Sequence, residues 1–407
     1  MITKASRCAS DATVYTELRT LLNQKGADLL LRILLYPLYC LWFLAVTPVL
    51  ADITDAPAAT ISTVRAITLT DRLAHPWGMA FLPNGSMLVS ERPGRLRLVA
   101  PNGTLSPPLD GLPDITATGQ GGLLDVVLHP QFAQNRWVYF SYSAGSRLTR
   151  QLGTEVARGQ LGDGRLDNVE VIFRASPKAG GGRHFGGRLL FDRNGLLYIS
   201  LGERGDKDRA QDLGDHNGSM IRLRDDGSVP DDNPFVGHAG ARPEIYSYGH
   251  RNVQGLALAE DGETVWVLEH GPQGGDEVNR LAPGRNYGWP VITYGVNYGI
   301  GTQIGEGTEK TGMEQPVYYW NPSIAPSGMT FYQGDKFPEW RGNLLVGALK
   351  YQLLSRLVLR DGEVVEEEQL LRSELGRIRD VQVGPDGYVY LLTDEDPGRL
   401  VRLEPQP

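Results

Sequence analysis

The constraint that narrows the fold most is a pattern that returns six times along the 407-residue chain. It reads GMAFLPNGSMLVSE from Gly78, DVVLHPQFAQNRWVYFSYS from Asp125, and GRLLFDRNGLLYISLGE from Gly187. It returns as GLALAEDGETVWVLEHG from Gly255, GMTFYQGDKFPEWRGNLLVGAL from Gly328, and DVQVGPDGYVYLLTDE from Asp380. Each copy is a short apolar run, a turn holding Gly or a polar pair, and a second run of alternating apolar residues. That is how a β-hairpin reads. Successive starts are 47, 62, 68, 73 and 52 residues apart. Units of this size cannot bury their sheet faces alone, so they must stack on one another, and irregularly spaced copies point to a β-propeller. Six copies predict an all-β, six-bladed β-propeller, with STVRAITLT (residues 62–70) closing the ring beside the last blade. A two-sheet sandwich or two smaller β domains is the competing fold, and no linker between the copies supports that division. The 50 glycines are what so many tight turns demand.

The segment 29–50, LLLRILLYPLYCLWFLAVTPVL, is the only long apolar run, with Arg32 near its start and Val49-Leu50-Ala51 at its end. A positive flank, an apolar core and a small residue at the cut are the order of a secretory signal. The expectation is a cleaved signal peptide over residues 1–51 and one catalytic domain over 52–407. A membrane anchor is the alternative for a run of about 20 residues. Both cysteines, Cys8 and Cys40, fall in the leader, so the mature chain is thiol-free, which suits an oxidising periplasm. The leader carries five basic and three acidic residues, so removing its +2 takes the formal charge from −8 to −10. That acidity excludes a general nucleic-acid binder. After cleavage no segment remains to insert stably in a membrane.

Chemistry-bearing residues collect around the long polar connections, 201–248 and 270–320, which on a propeller converge over the channel. His184, in GGGRHFGGRLLF, is placed just before a strand, where it reads either as a general base or as a structural histidine. His75 in HPWG and His129 in HPQF read as turn residues ahead of proline. No HExxH or Cys/His spacing suggests a zinc site, and neither GxGxxG nor GxSxG is present. The stretch EHGPQGGDEVNRLAPGRNYGWP (residues 269–290) is dense in carboxylates and carbonyls, the donors calcium prefers, or else a solvated loop. Arg251, Lys350, Arg377 and Arg379 stand near strand starts on different repeats. They either converge on a polyanionic ligand or form salt bridges with the many acids.

The motifs GQGGLLDVVLHPQF, RHFGGRLLF, YGHRNVQGLAL, EHGPQGGDEVN, NYGWP and RIRDVQVGPDGYVYLLTDE together resemble the soluble pyrroloquinoline quinone (PQQ) dependent sugar dehydrogenases. The likeness is greatest to the aldose sugar dehydrogenase branch of the glucose/sorbosone dehydrogenase family, from about Ala74 to Leu403. The resemblance implies oxidation of an aldose at its anomeric carbon to a lactone, with hydride passing to PQQ and an external acceptor, a quinone or redox protein, taking the electrons. It implies His184 as the general base, with Glu203 as the carboxylate that orients it, where the glucose enzymes carry Asp. Gln120, Arg251 and Asn252 are implied to line the quinone, and Lys350, Arg377 and Arg379 to neutralise its carboxylates. The carbonyls of Gly271 and Pro272 are implied ligands of a Ca2+ that bridges to PQQ. Glu277 and the Tyr287 carbonyl resemble a second, structural calcium site. A calcium-dependent propeller lactonase and a non-catalytic sugar- or partner-binding propeller are the alternative functions.

Overall fold

The computed structural model describes residues 64–146, 148–149 and 151–406. The expected leader lies outside the described residues. Six four-stranded antiparallel sheets make up the described fold. Blade 1 holds β2 (Pro76–Phe81), β3 (Met87–Glu91), β4 (Arg95–Val99) and β5 (Leu105–Pro108). Blade 2 holds β6 (Leu123–Leu128), β7 (Trp137–Ser146), β8 (Gln151–Leu161) and β9 (Leu166–Arg174). Blade 3 is β10 (Leu189–Phe191), β11 (Leu197–Ser200), β12 (Ser219–Leu223) and β13 (Ile245–Tyr248). Blade 4 is β14 (Val253–Leu258), β15 (Val265–Glu269), β16 (Asp276–Arg280) and β17 (Tyr318–Trp320). Blade 5 is β18 (Pro326–Phe331), β19 (Leu344–Ala348), β20 (Leu353–Arg360) and β21 (Glu363–Leu370). In blade 6, β22 (Ile378–Val383), β23 (Val389–Thr393) and β24 (Gly398–Pro405) are completed on the outside by β1 (Val64–Leu73).

Each repeat in the sequence is therefore the inner hairpin of one blade. The closing strand is where the sequence places it: β1 pairs antiparallel with β24, in the register Val64↔Pro405, Ala66↔Leu403 and Thr68↔Val401. The innermost strands follow one another round the ring, β2 beside β6 and finally β22 beside β2. Among the described residues no helix is long and apolar enough to cross a membrane.

What holds the blades is burial between them. Each of the six interfaces carries its own apolar cluster among the described residues. Leu88 and Leu96 of blade 1, for instance, meet Val126 and Phe140 of blade 2. Polar staples supplement them at the centre. Ser90 Oγ donates to the Leu124 carbonyl of blade 2, and Ser141 Oγ donates to Gly187 of blade 3 at 2.5 Å. Ser327 Oγ of blade 5 reaches Ile378 of blade 6 at 2.7 Å. A buried hydroxyl with a carbonyl partner contributes about 1 kcal/mol. A fully buried Leu contributes about 1.5–3 kcal/mol by leaving water.

Closure is testable at Leu73, the last residue of β1, which is buried beside Met79, Tyr390, Leu392 and Leu400 at the interface of blades 6 and 1. Leu73→Ala should lower the unfolding free energy by about 2–5 kcal/mol, the cost of an apolar cavity. Urea melts at equilibrium measure it, and an unchanged midpoint would show that the closing strand does not anchor the ring.

Candidate active site

His184 is held in a left-handed backbone conformation, φ 54°, in the turn before β10. For a residue with a Cβ this costs about 1–2 kcal/mol, so its neighbours must hold it. The Gln120 side-chain carbonyl accepts from the His184 N–H at 2.7 Å, and that of Asn252 accepts from Gly186 N–H at 3.2 Å. Gly202 runs behind: a Cβ there would overlap the His184 carbonyl and press on Asn252 Oδ1. Only glycine lets the two chains approach this closely.

His184 Nδ1 lies 2.6 Å from Glu203 Oε2, and the same oxygen accepts from Gly205 N–H at 2.6 Å. Burial alone would raise the Glu203 carboxyl. The hydrogen bond from His184, its charge and the Gly205 N–H outweigh burial and hold Glu203 below the usual range. Glu203 is thus an ionised acceptor, and the proton of a neutral imidazole sits on Nδ1. Burial also pulls the His184 pKa below its ordinary 6.5, against the hydrogen bond that its Nδ1–H donates to Glu203. Nε2, which makes no hydrogen bond with a described residue, keeps the free lone pair, and the side chain is 10% exposed. A neutral imidazole backed by a buried carboxylate is the arrangement of a general base.

Beside this pair lies a cavity of about 580 Å³, bounded by Gln120, Gly186, Asn252, Leu349, Arg377 and Arg379 among others. Trp77 and Gln254 lie along its floor, and His75, Arg92, His270 and Asp394 also line it. Three arginines border it from two neighbouring blades. Arg379 Nη2 pairs with Asp394 at 2.6 Å, and Arg377 Nη2 stands 3.8 Å from the same carboxylate. Although burial raises the Asp394 pKa, the Arg379 charge and hydrogen bond hold it well below the usual range. One carboxylate does not offset Arg92, Arg377 and Arg379, so this side of the cavity is positive. Buried Nε atoms of Arg92 and Arg379, which line the cavity, and of Arg251, which lines a small void beside it, have no hydrogen-bond partner. Buried donors are rarely left unmatched, and this set fits an anionic ligand with several acceptors, as the PQQ carboxylates would be.

The implied metal residues also come together. Gly271, Glu277 and Tyr287 line one small void with Glu269, Gly275 and Arg251. Glu269 and Glu277 face each other across β15 and β16. Glu277 is in no ion pair among the described residues, while Glu269 accepts from Arg251 N–H at 2.7 Å and is 2.9 Å from His250 Nδ1. Burial, then the Glu269 charge, pushes the Glu277 carboxyl up to about 8. Two buried acids without a full counter-charge, with carbonyls at hand, fit a hard cation. Among the described residues no three His, Cys, Asp or Glu side chains converge on one point, so backbone carbonyls would have to complete the shell. The Pro272 carbonyl lies outside this void and accepts from the Tyr298 hydroxyl at 2.9 Å.

The expected residues therefore gather with two exceptions, Pro272 and Lys350. Lys350 is exposed one residue beyond cavity-lining Leu349, its ammonium 5.1 Å above the Tyr351 ring. His75 is more than a turn residue, since it lines the cavity and its Nδ1 lies 3.1 Å from Asp394 Oδ1. Sequence reasoning passed over Trp77, Arg92, Gln254 and Asp394. Trp77 and Gln254 stand at the repeat position of Arg379, one residue before Gly78, Gly255 and Asp380, and that register was the available signal.

A six-bladed propeller whose channel mouth joins a histidine–carboxylate pair to an arginine-lined cavity defines a class of site built for an anionic cofactor or substrate. The profile of the family described as glucose/sorbosone dehydrogenase matches residues 73–402, and the chain belongs to that family. Aldose sugar dehydrogenase YliI of Escherichia coli (strain K12) is 47% identical over 349 residues, covering 85% of this chain and 94% of that protein. The crystal structure of the soluble aldose sugar dehydrogenase from Escherichia coli, in the apo form, superposes with a TM-score of 0.82 at 47% identity. That match covers 84% of this chain and 100% of the other. The PQQ-bound form of aldose sugar dehydrogenase from Streptomyces coelicolor gives a TM-score of 0.70 at 30% identity, covering 84% of this chain and 98% of that one.

The Glu203–His184 pair sets a direction that nuclear magnetic resonance can read. The His184 imidazole should titrate below 6.5, where burial puts it. Glu203→Gln removes the anion that favours the protonated ring, so the midpoint should fall further. A rise would show that Glu203 does not support the charge.

Proposed function

We propose that the protein oxidises aldose sugars at the anomeric carbon to lactones, using PQQ and Ca2+ and passing the electrons to an external quinone or redox protein. The observation that carries this reading is the set of partnerless buried Nε atoms on Arg92, Arg251 and Arg379, beside the His184–Glu203 pair. When bound, PQQ supplies the two-electron acceptor for the hydride, and calcium a Lewis acid that polarises it. The chain does the rest. His184 Nε2 takes the proton of the anomeric hydroxyl, and Glu203 stabilises the imidazolium that forms. Gln120 and Asn252 hold the backbone of that turn, so the base is already aimed before the sugar arrives. Arg377 and Arg379, with Lys350 near the rim, would face the carboxylates of the quinone, and Arg251 and Asn252 its ring. The carbonyls of Gly271 and Pro272 would hold one calcium, with Glu277 and the Tyr287 carbonyl at a second, structural ion. Residues 1–51 act as an export leader, and the domain over 52–407 works in the periplasm.

Apoprotein supplied with PQQ and Ca2+ should reduce a dye with glucose or another aldose, and bound PQQ without reduction by any aldose would overturn the reading. His184→Ala should retain PQQ, seen by its absorbance, while turnover drops by about 10²–10⁴-fold, the usual worth of a general base. Turnover at the wild-type level would assign the base elsewhere. Because the base must be neutral, kcat/KM should fall on the acid side only below pH 6.5, following the lowered His184 pKa. Chelation of calcium should abolish dye reduction, and its re-addition should restore it. Undiminished activity in a calcium-free preparation would remove the ion from the scheme.

A further inference from the structure

Five of the innermost strands, and the residue just ahead of the sixth, β10, present equivalent positions, occupied by Gly78, Asp125, Arg188, Gly255, Gly328 and Asp380. For three of them the equivalence is fixed by hydrogen bonds: Gly78, Asp125 and Arg188 each donate their N–H to the serine of the next strand, at 2.9–3.0 Å. Three positions are glycine because the ring is full. A Cβ on Gly78 would overlap Asp125 Oδ1, and one on Gly328 would overlap Asp380 Oδ1.

Arg188, 3% exposed, fills the centre. Its Nη1 is 3.3 Å from Asp125 Oδ1 and 2.8 Å from Asp380 Oδ1. Both acids are also tied to backbone: Asp125 accepts from Leu189 N–H at 2.9 Å and Asp380 from Met79 N–H at 3.1 Å. An ion triad alone would be a fold element, and buried pairs often add little stability. The remaining contacts of Arg188 point elsewhere. Nε donates to the Gln254 carbonyl at 2.7 Å, Nη2 donates to the Arg379 carbonyl at 3.0 Å, and the guanidinium lies 4.3 Å from the Trp77 ring centre. Trp77, Gln254 and Arg379 are the floor of the candidate active-site cavity. Beyond the triad a second cavity, about 300 Å³, is bounded by Asp125, Arg188 and Asp380. One planar side chain thus borders the second cavity and touches three residues that line the first.

We propose that Arg188 is a positioning residue of the active site: from beneath the floor it fixes Trp77, Gln254 and Arg379 in the arrangement that receives the anionic cofactor. The proposal rests on the PQQ reading above. A planar fork is required, because an ammonium cannot stack on Trp77 while donating along two fixed directions. Support of this kind, one layer behind the contacting groups, typically alters binding by roughly 10–100-fold.

The test is a titration of apoprotein with PQQ in the presence of Ca2+, followed by absorbance, on wild type and two variants. Arg188→Lys keeps a charge between the two acids. The triple variant Arg188→Met, Asp125→Asn, Asp380→Asn removes the buried charges together. The floor is read separately in apoprotein by Trp77 emission, taken as the difference from each protein's Trp77→Phe counterpart. Expected are PQQ affinity weakened about tenfold or more in a folded variant and a shifted Trp77 emission. Wild-type affinity and emission in either folded variant would overturn the proposal, and so would failure of both variants to fold, which would confine Arg188 to the fold. Absence of PQQ binding by wild type would instead overturn the PQQ reading, leaving the Trp77 emission to decide the positioning role.

Discussion

The structure depends on a ring that must close between its last and first blades. At the periphery β1 supplies the outer strand of blade 6, pairing with β24. At the centre Asp380 of blade 6 accepts from Met79 of blade 1. Between these two lies the cluster of Leu73, Met79 and Leu392. A propeller blade has nowhere to bury its faces except against its neighbours, so one open interface would expose two of them. The chain thus joins its described N-terminal strand to its C-terminal blade by hydrogen bonds at the rim, apolar packing midway and a carboxylate at the hub.

Closure also explains why a site can exist at this mouth. The turn that carries His184 comes from blade 3, Gln120 from the segment ahead of blade 2, and Asn252 from the entry to blade 4. Their contacts are short, 2.7 Å and 3.2 Å, only because the ring brings those connections together. The left-handed backbone of His184 is a local cost accepted for aim, and His184 lies at the junction of three blades rather than on a free loop. Rigid placement of this kind makes a base effective without reorganisation at the moment of reaction. The same convergence gathers positive charge: an acidic chain holds Arg92, Arg377 and Arg379 at one end of the channel, where Asp394 is the acid that lines the cavity with them.

Hairpins were legible because alternation and turn glycines are local, and the repeat count followed from them. The closing strand was legible for the same reason, as an apolar alternating run left over at the start. Register was not fully legible. Aligned by its glycine the third repeat begins at Gly187, yet the hydrogen bond from Arg188 N–H to Ser200 makes Arg188 the equivalent of Gly78. Side chain and backbone disagree there because the position needs a hub charge in one blade and empty space in another. His184, Glu203 and the cations carried a resemblance that pointed to them, but Arg92 and Asp394 did not. Asp394 reaches His75 across the junction of blades 6 and 1, Arg92 donates to the Gly119 carbonyl ahead of blade 2, and no periodicity encodes contacts of that kind. Lys350 shows the converse: a cation near a strand end reads like its neighbours, while its ammonium settles over Tyr351.

The glycine content has two physical origins that sequence alone merges. Turn glycines such as Gly85, at φ 80°, serve the hairpins. Hub glycines do the opposite, sitting inside strands where glycine normally weakens a sheet. They are tolerated because each vacated Cβ is replaced by a carboxylate or carbonyl from the next blade. The space so made lets one arginine cross the channel and meet acids from blades 2 and 6. A ring with six identical hubs could stack as well, but it would leave an open bore. Asymmetry at the hub is what turns a stack of alike blades into a closed floor, and a floor is what a site at the mouth requires.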